Sequence, residues 1–267
     1  MSGYVHGYDG REAARLEDQA RTLEELLHAG SCFPHGSAVL EAGCGTGAQT
    51  VALARRSPGA HIVAMDISAE SLAKARARVS AAGLCNVELQ QADLLAAPFA
   101  PASFDHIFLC FVLEHLPDPA AALASLRALL RSGGTITVIE GDHASTCLHP
   151  ESTVARAAIS CQVELQRRAG GDAMIGRSLF PLLAGAGFTA VHASPRLVYV
   201  DGSTPELADG FIRNTFIAMV AGVREPAIAA GLTTPKSFDA GIRALHRAAE
   251  PDGVFCYTFF KATGRVM

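Results

Sequence analysis

VLEAGCGTG, from Val39 to Gly47, is the stretch whose reading decides the fold. Its apolar opening reads as a strand, Gly43, Gly45 and Gly47 read as a turn, and Gln49 to Arg56 reads as a helix that stops at Ser57-Pro58-Gly59. Glycines permit positive φ and let a ligand lie against bare backbone, while a helix N-terminus presents N–H groups without intrahelical partners. The stretch alone is ambiguous, because Gly43, Gly45 and Ala48 also satisfy the dinucleotide fingerprint G-x-G-x-x-G/A. Gly47 has a plainer reading as a residue needed only for helix–strand packing.

The chain on both sides of this stretch alternates strand and helix patterns, the signature of βαβ units. HIVAMD gives a second strand ending at Asp66, and Ser68 caps a helix through Leu72, Ala75 and Val79 that stops at Gly83. NVELQQAD gives a third strand ending at Asp93. FDHIFLCFVL is almost continuously apolar, as a strand covered on both faces must be. An Ala/Leu-rich helix with Leu123, Leu126, Leu129 and Leu130 on one face follows Pro117 and Pro119, and Ser132-Gly133-Gly134 turns the chain into TITVIE. A helix from Ser178 to Ala186, a strand from Val191 to Val200 and a last strand, VFCYTFFKA, complete the pattern.

Three segments exceed this alternation. An amphipathic helix with Leu16, Leu23, Leu26 and Leu27 lies in a cover over residues 1–36; residues 142–176 and 203–250 read as helical insertions. Without an internal repeat or linker, one elaborated domain over residues 1–267 is expected. The net charge of −4 and the scattering of Lys and Arg argue against a nucleic-acid partner, and no apolar run reaches the ~18 residues that span a bilayer. The opening MSGYVHGYDG has no basic and apolar leader, so a cytoplasmic location is expected. Cys32, Cys44, Cys85, Cys110, Cys147, Cys161 and Cys256 include no CxxC and read as buried thiols, with no metal site expected.

Acidic residues at strand ends discriminate between ligands. Glu41 puts a carboxylate beside the glycine turn, where a pyrophosphate would be repelled but the ammonium and sulfonium of S-adenosylmethionine would find a counter-charge. Asp66 suits a pair of ribose hydroxyls, a feature shared with NAD enzymes. Asp93 is placed to accept from an adenine amino group, with Ile67 and Leu94 as apolar contacts to the base; its other reading is the cap of a turn.

EAGCGTG, Asp66, Asp93, FDHIFLCFVLEHL and LLRSGGTITV together resemble the successive motifs of class I S-adenosylmethionine-dependent methyltransferases, most closely the ubiquinone/menaquinone-type and natural-product small-molecule enzymes. The resemblance covers Tyr8 to Ile139 well and the last two strands loosely. It implies a Rossmann-like, mostly parallel seven-stranded α/β sheet with an antiparallel last strand and helices on both faces. It also implies S-adenosyl-L-methionine as cofactor, a donor site lined by Glu41, Gly43, Gly45, Asp66, Asp93 and Phe111, and a covering tyrosine, Tyr8, with Tyr4 as the spare. Phe111 reads equally as plain core.

Methyl transfer from a sulfonium is an in-line displacement that depends mostly on proximity and alignment, so a general base is optional. Ligands of open α/β sheets sit beyond the carboxyl ends of the strands. His115 after the fourth strand, and Glu140 and His143 in IEGDHASTCLHP after the fifth, are therefore the catalytic candidates. The competing reading has Asp142 and Ser145 capping a helix and the histidines bonded to backbone or solvent. Phe211, Phe216 and Met219 are candidate walls of an apolar acceptor pocket under a lid, or simply a core-facing stripe. The expected partner is a small-molecule acceptor, with a homodimer left open. An NAD-dependent oxidoreductase and a non-catalytic S-adenosylmethionine-binding sensor stay as rivals.

Overall fold

The computed structural model describes residues 22–267, the first of them in helix α1 (22–28). The sheet is built from β1 (Ala38–Ala42), β2 (His61–Asp66), β3 (Val87–Gln91), β4 (Phe104–Cys110), β5 (Leu130–His149), β6 (Thr189–Val200) and β7 (Val254–Arg265). Its order is β3-β2-β1-β4-β5-β7-β6, with β3, β2, β1, β4 and β5 successively parallel and β7 antiparallel. Helix α2 (Ala48–Arg56) and α3 (Ala69–Ala81) carry the chain outward from β1 to β3, and α4 (Pro119–Leu129) carries it the other way from β4 to β5. Right-handed crossovers in opposite directions place these helices on opposite faces and make the β1/β4 junction the switch point of the sheet.

The chain divides into two compact units. The larger holds Glu24–Glu140, Ile175–Pro195 and Phe260–Met267. Its core joins Leu40, Met65, Ile107, Leu109 and Val138 of the strands to Leu123 and Leu126 of α4 and Leu179 and Leu183 of α6 (Leu179–Gly185). Ile107, Phe108 and Leu109 are all fully buried, the physical meaning of β4's unbroken apolar run between β1 and β5. Ser68 caps α3 as its sequence predicts, accepting from the Ser71 N–H at 3.1 Å. A feature without a sequence signal is Lys261 of β7, buried with its ammonium donating to the Ala29 carbonyl at 2.8 Å and the Ser31 hydroxyl at 2.6 Å. These acceptors follow the C-terminus of α1, where a cation also meets the favourable end of the helix dipole.

The smaller unit holds Gly141–Met174 and Arg196–Phe259. Here the sequence reading needs correction. Residues 142–149 are not helical: β5 runs through them to His149, and the helix of that segment, α5 (Thr153–Arg168), begins only after Ser152, whose side chain accepts from the Ala155 N–H at 3.2 Å. Asp142 and Ser145 cap no helix. Asp142 accepts from the Ala144 N–H at 3.1 Å, Ser145 donates to the Asp142 carbonyl at 2.6 Å and Thr146 to the His143 carbonyl at 2.8 Å, so side chains satisfy the backbone of a kink inside the strand. Ser132-Gly133-Gly134, read as a turn, likewise lies within β5.

Residues 203–250 are helical as expected: α7 (Pro205–Leu207), a π-helix over Ala208–Ile217, α8 (Ala218–Gly222), α9 (Arg224–Ala229) and α10 (Pro235–Ala248). The five-residue step from Phe211 to Phe216 fits i→i+5 geometry. Both rings are buried and pack on Phe255 and Tyr257 of β7. Among the cysteines only Cys44, Cys110 and Cys161 are buried; Cys32, Cys85 and Cys147 are exposed and Cys256 half-buried, all as free thiols. No helix among the described residues is long and apolar enough to cross a membrane.

Gly47 adopts φ 76, and a Cβ there would lie 3.0 Å from Cα and Cβ of Ala75. Gly47→Ala should therefore destabilise the protein by about 1–3 kcal/mol, read as a lower urea midpoint at unchanged m-value; an unshifted midpoint would contradict it.

Candidate active site

The glycine turn leaves β1 and folds over the end of β2. The Gly43 and Cys44 N–H groups both donate to the Met65 carbonyl, at 2.8 and 2.9 Å. The Gly45 N–H donates to Asp66 Oδ2 at 2.8 Å, while Asp66 Oδ1 accepts from the Ser68 N–H at 2.9 Å. Asp66 thus orders the turn from the neighbouring strand and stays only half-buried. Gly43 has φ 78, and a Cβ on it would meet Val112 Cγ2 at 2.7 Å, so the turn and the loop after β4 approach as closely as backbone allows. A Cβ on Gly45 would meet nothing within 4 Å, so open space lies beside the turn.

Glu41, one residue before the end of β1, is buried, and its Oε2 has no hydrogen-bond partner among the described residues. Burial pushes its carboxyl up to about 7; the nearby Asp66 charge adds to the rise and the neighbouring Thr50 hydroxyl opposes it. Thr50, buried on α2, was not singled out from the sequence, and only the three-dimensional packing brings it to Glu41.

A second carboxylate arrangement closes the other side of the switch point. Phe111 sits at φ 59, a left-handed conformation that costs a bulky residue about 1–3 kcal/mol. Its N–H donates to the Ile139 carbonyl at 2.9 Å, and the next two N–H groups, Val112 and Leu113, donate to Glu140 Oε1 at 3.0 and 2.7 Å. Glu140 is fully buried; burial first, then the charge of Glu114, holds its carboxyl well above the usual range, while these N–H donors oppose the rise. Read as catalytic from the sequence, Glu140 has a visible role in holding the loop that carries Phe111. His115, on the 3₁₀ turn Leu113–His115, is half-buried with Nε2 3.5 Å from Glu114 Oε1.

Asp93 caps a turn: its side chain accepts from the Leu95 N–H at 2.9 Å and it is exposed at the end of β3. Ile67 is 63% exposed, which leaves an apolar surface next to Asp66, and Leu94 is half-buried against the core. Tyr8 and Tyr4 lie outside the described residues. Glu41, Gly43, Gly45, Asp66, Ile67, Asp93, Leu94, Phe111, His115 and Glu140 all belong to the larger unit, whereas His143 belongs to the smaller. His143 is buried there, with Nδ1 3.0 Å from the Tyr257 hydroxyl and Nε2 3.4 Å from Met219 Sδ. Tyr257 had no sequence signal, because 114 positions separate it from its partner. No group of three or more His, Cys, Asp or Glu among the described residues is arranged to hold a metal ion.

Glu140 supplies a specific test. Glu140→Gln keeps an acceptor for the Val112 and Leu113 N–H groups and should be tolerated, whereas Glu140→Ala strands both and should cost about 2 kcal/mol or more in urea unfolding. Equal losses in the two variants would rule out the loop-holding role.

Comparison with known proteins agrees with this geometry. Residues 39–134 match a family described as a methyltransferase domain. An uncharacterized 37.1 kDa protein of a Streptomyces fradiae transposon is 33% identical over 215 residues, 79% of this chain and 61% of that protein. Demethylmenaquinone methyltransferase of Thermus thermophilus is 36% identical over 102 residues, 38% of this chain and 46% of that enzyme. The chain therefore spans less than two thirds of these relatives. Among solved structures, Haemonchus contortus phosphoethanolamine N-methyltransferase 2, in complex with phosphomonomethylethanolamine and S-adenosylhomocysteine, aligns at TM-score 0.57 and 17% identity, over 92% of this chain and 53% of that one. The glycine turn between β1 and α2, the acidic residues around the ends of β1 to β3 and the family match coincide on one segment: residues 39–134 are similar to the methyltransferase-domain family, and the sheet order is that of the class I methyltransferase fold.

Proposed function

We propose that this protein is an S-adenosylmethionine-dependent methyltransferase of a small-molecule acceptor, acting in the cytoplasm as one catalytic domain over residues 1–267. The observation that carries the reading is the buried Glu41 carboxylate oxygen that no group among the described residues satisfies, beside a glycine turn open at Gly45. A buried oxygen without a donor costs free energy unless a ligand supplies one, and here an ammonium is the complementary chemistry. A dinucleotide would bring a diphosphate to the same turn and meet the Glu41 carboxylate as a repelling charge, which disfavours the oxidoreductase reading.

S-adenosylmethionine supplies an electrophilic methyl on a sulfonium. The chain's residues bind and orient it: Glu41 pairs with the cationic end, Gly43 and Gly45 admit it to the backbone, and Asp66 turns its remaining lone pairs to the ribose hydroxyls. Asp93, Ile67 and Leu94 receive the base, and Phe111, fixed by Glu140 through the loop N–H groups, faces the switch point. For the acceptor, His115 is the base candidate of the larger unit, and His143, oriented by Tyr257, that of the smaller. Segments 142–176 and 203–250 serve acceptor selection. The scattered basic residues support a small acceptor over a nucleic acid.

Two outcomes are expected. Glu41→Ala should weaken S-adenosylmethionine binding about 30-fold, near 2 kcal/mol, by calorimetric titration; an unchanged Kd, or tighter binding of NAD than of S-adenosylhomocysteine, would overturn the assignment. The second concerns pH. Because the folded carboxyl titrates near 7, above its ordinary 4.5, the ligand-free protein loses stability as pH rises through that window, and a cationic ligand must bind the ionised form. Affinity for S-adenosylmethionine should accordingly rise from pH 5 to 7, by at most about tenfold per unit, and Glu41→Gln should remove this slope. A slope retained in that variant would assign the titration to another group.

A further inference from the structure

The smaller unit carries a pair of thiols that the reading above does not use. β5 and β7 are neighbours in the sheet and run antiparallel. The Thr258 N–H donates to Ser145 Oγ at 2.9 Å, which sets Ser145 beside Thr258. Two residues further along each strand, in opposite directions, stand Cys147 and Cys256. The two-residue period of strands turns both thiols to the face opposite the buried Thr146, Leu148, Phe255 and Tyr257. The two side chains are joined by a hydrogen bond. Cys147 is exposed and Cys256 half-buried, so one is open to a reagent and the other stands behind it. Cys32, also exposed, instead donates its thiol to the Arg56 carbonyl at 3.0 Å.

We propose that Cys147 and Cys256 form a reversible thiol-modification site, a cross-strand dithiol that closes to a disulfide at the expense of a low-molecular-weight disulfide. Residues directly opposite in an antiparallel pair have Cα atoms about 4.5–5.5 Å apart, within the span a disulfide bridges. The exposed Cys147, as thiolate, attacks one sulfur of the small disulfide; that S–S bond breaks, a small thiolate leaves, and a mixed disulfide forms on Cys147. The Cys256 sulfur then attacks the Cys147 sulfur and displaces the second small thiolate. Two protein thiols are oxidised, one small disulfide is reduced to two thiols, and the two protons lost by the cysteines end on the departing thiolates. Burial and the adjacent Cys147 push the Cys256 thiol up to about 11, which keeps its thiolate fraction small, so the second step proceeds through the proximity of the two sulfurs and speeds up as pH rises. Closure would clasp the two strands that carry His143 and Tyr257.

The test needs no variant to begin. The full chain is incubated with oxidised glutathione near pH 8, free thiols are alkylated, and the protein is digested with trypsin without reductant. Cleavage after Arg131, Arg156, Arg247 and Lys261 puts the two cysteines on separate peptides, 132–156 and 248–261. The expected product is these two peptides joined by a disulfide that dithiothreitol releases. In Cys256→Ser the glutathione adduct on Cys147 should persist about tenfold longer than in the parent protein, and Cys147→Ser should yield no joined peptides. Recovery of both peptides separately from the parent protein, each alkylated or glutathionylated, would overturn the proposal.

Discussion

The whole site rests on backbone N–H groups at the ends of parallel strands being satisfied by the strand next door. Three successive N–H groups of the glycine turn, from Gly43, Cys44 and Gly45, are taken by the Met65 carbonyl and the Asp66 carboxylate at the end of β2. Across the switch point, the N–H groups of Phe111, Val112 and Leu113, just past the end of β4, are taken by the Ile139 carbonyl and the Glu140 carboxyl midway along β5. Buried backbone must be paired, and where the strands diverge at this crevice carboxylate side chains complete the pairing that neighbouring carbonyls begin.

Seen this way, the acidic residues at the strand ends differ in what they do although the sequence presents them alike. Asp66 and Glu140 hold backbone, and Asp93 caps a turn. Glu41 and Glu140 each keep one buried oxygen with no hydrogen-bond partner among the described residues, and burial holds both carboxyls above the usual range. Glu140 holds the loop backbone through its other oxygen, whereas Glu41 lies beside the glycine turn that is open at Gly45. The strained Phe111 backbone fits the same logic: the loop is held against its preference by hydrogen bonds from the neighbouring strand.

The smaller unit follows a different physical rule. Its interior is organised by aromatic rings from β7 and the π-helical turn, with His143 and Tyr257 hydrogen-bonded among them. Phe211 and Phe216 lie in that core, so their stripe in the sequence reports packing.

The amino-acid sequence by itself determined the β1-to-β5 half of the fold and the glycine turn, because strand alternation, the Ser68 cap and glycines at positive φ are local consequences of residue type. HIVAMD begins and ends as a strand where its residues say it should. Tertiary structure alone decided that β5 continues through the kink at 142–146 where a helical pattern was read, since that backbone is stabilised by hydrogen bonds absent from any periodicity. It alone also brought Lys261 to the end of α1, Tyr257 to His143 and Glu140 to the loop after β4. Those partners are far apart in the chain, and no local pattern encodes a contact whose energy arises only when distant segments are buried together.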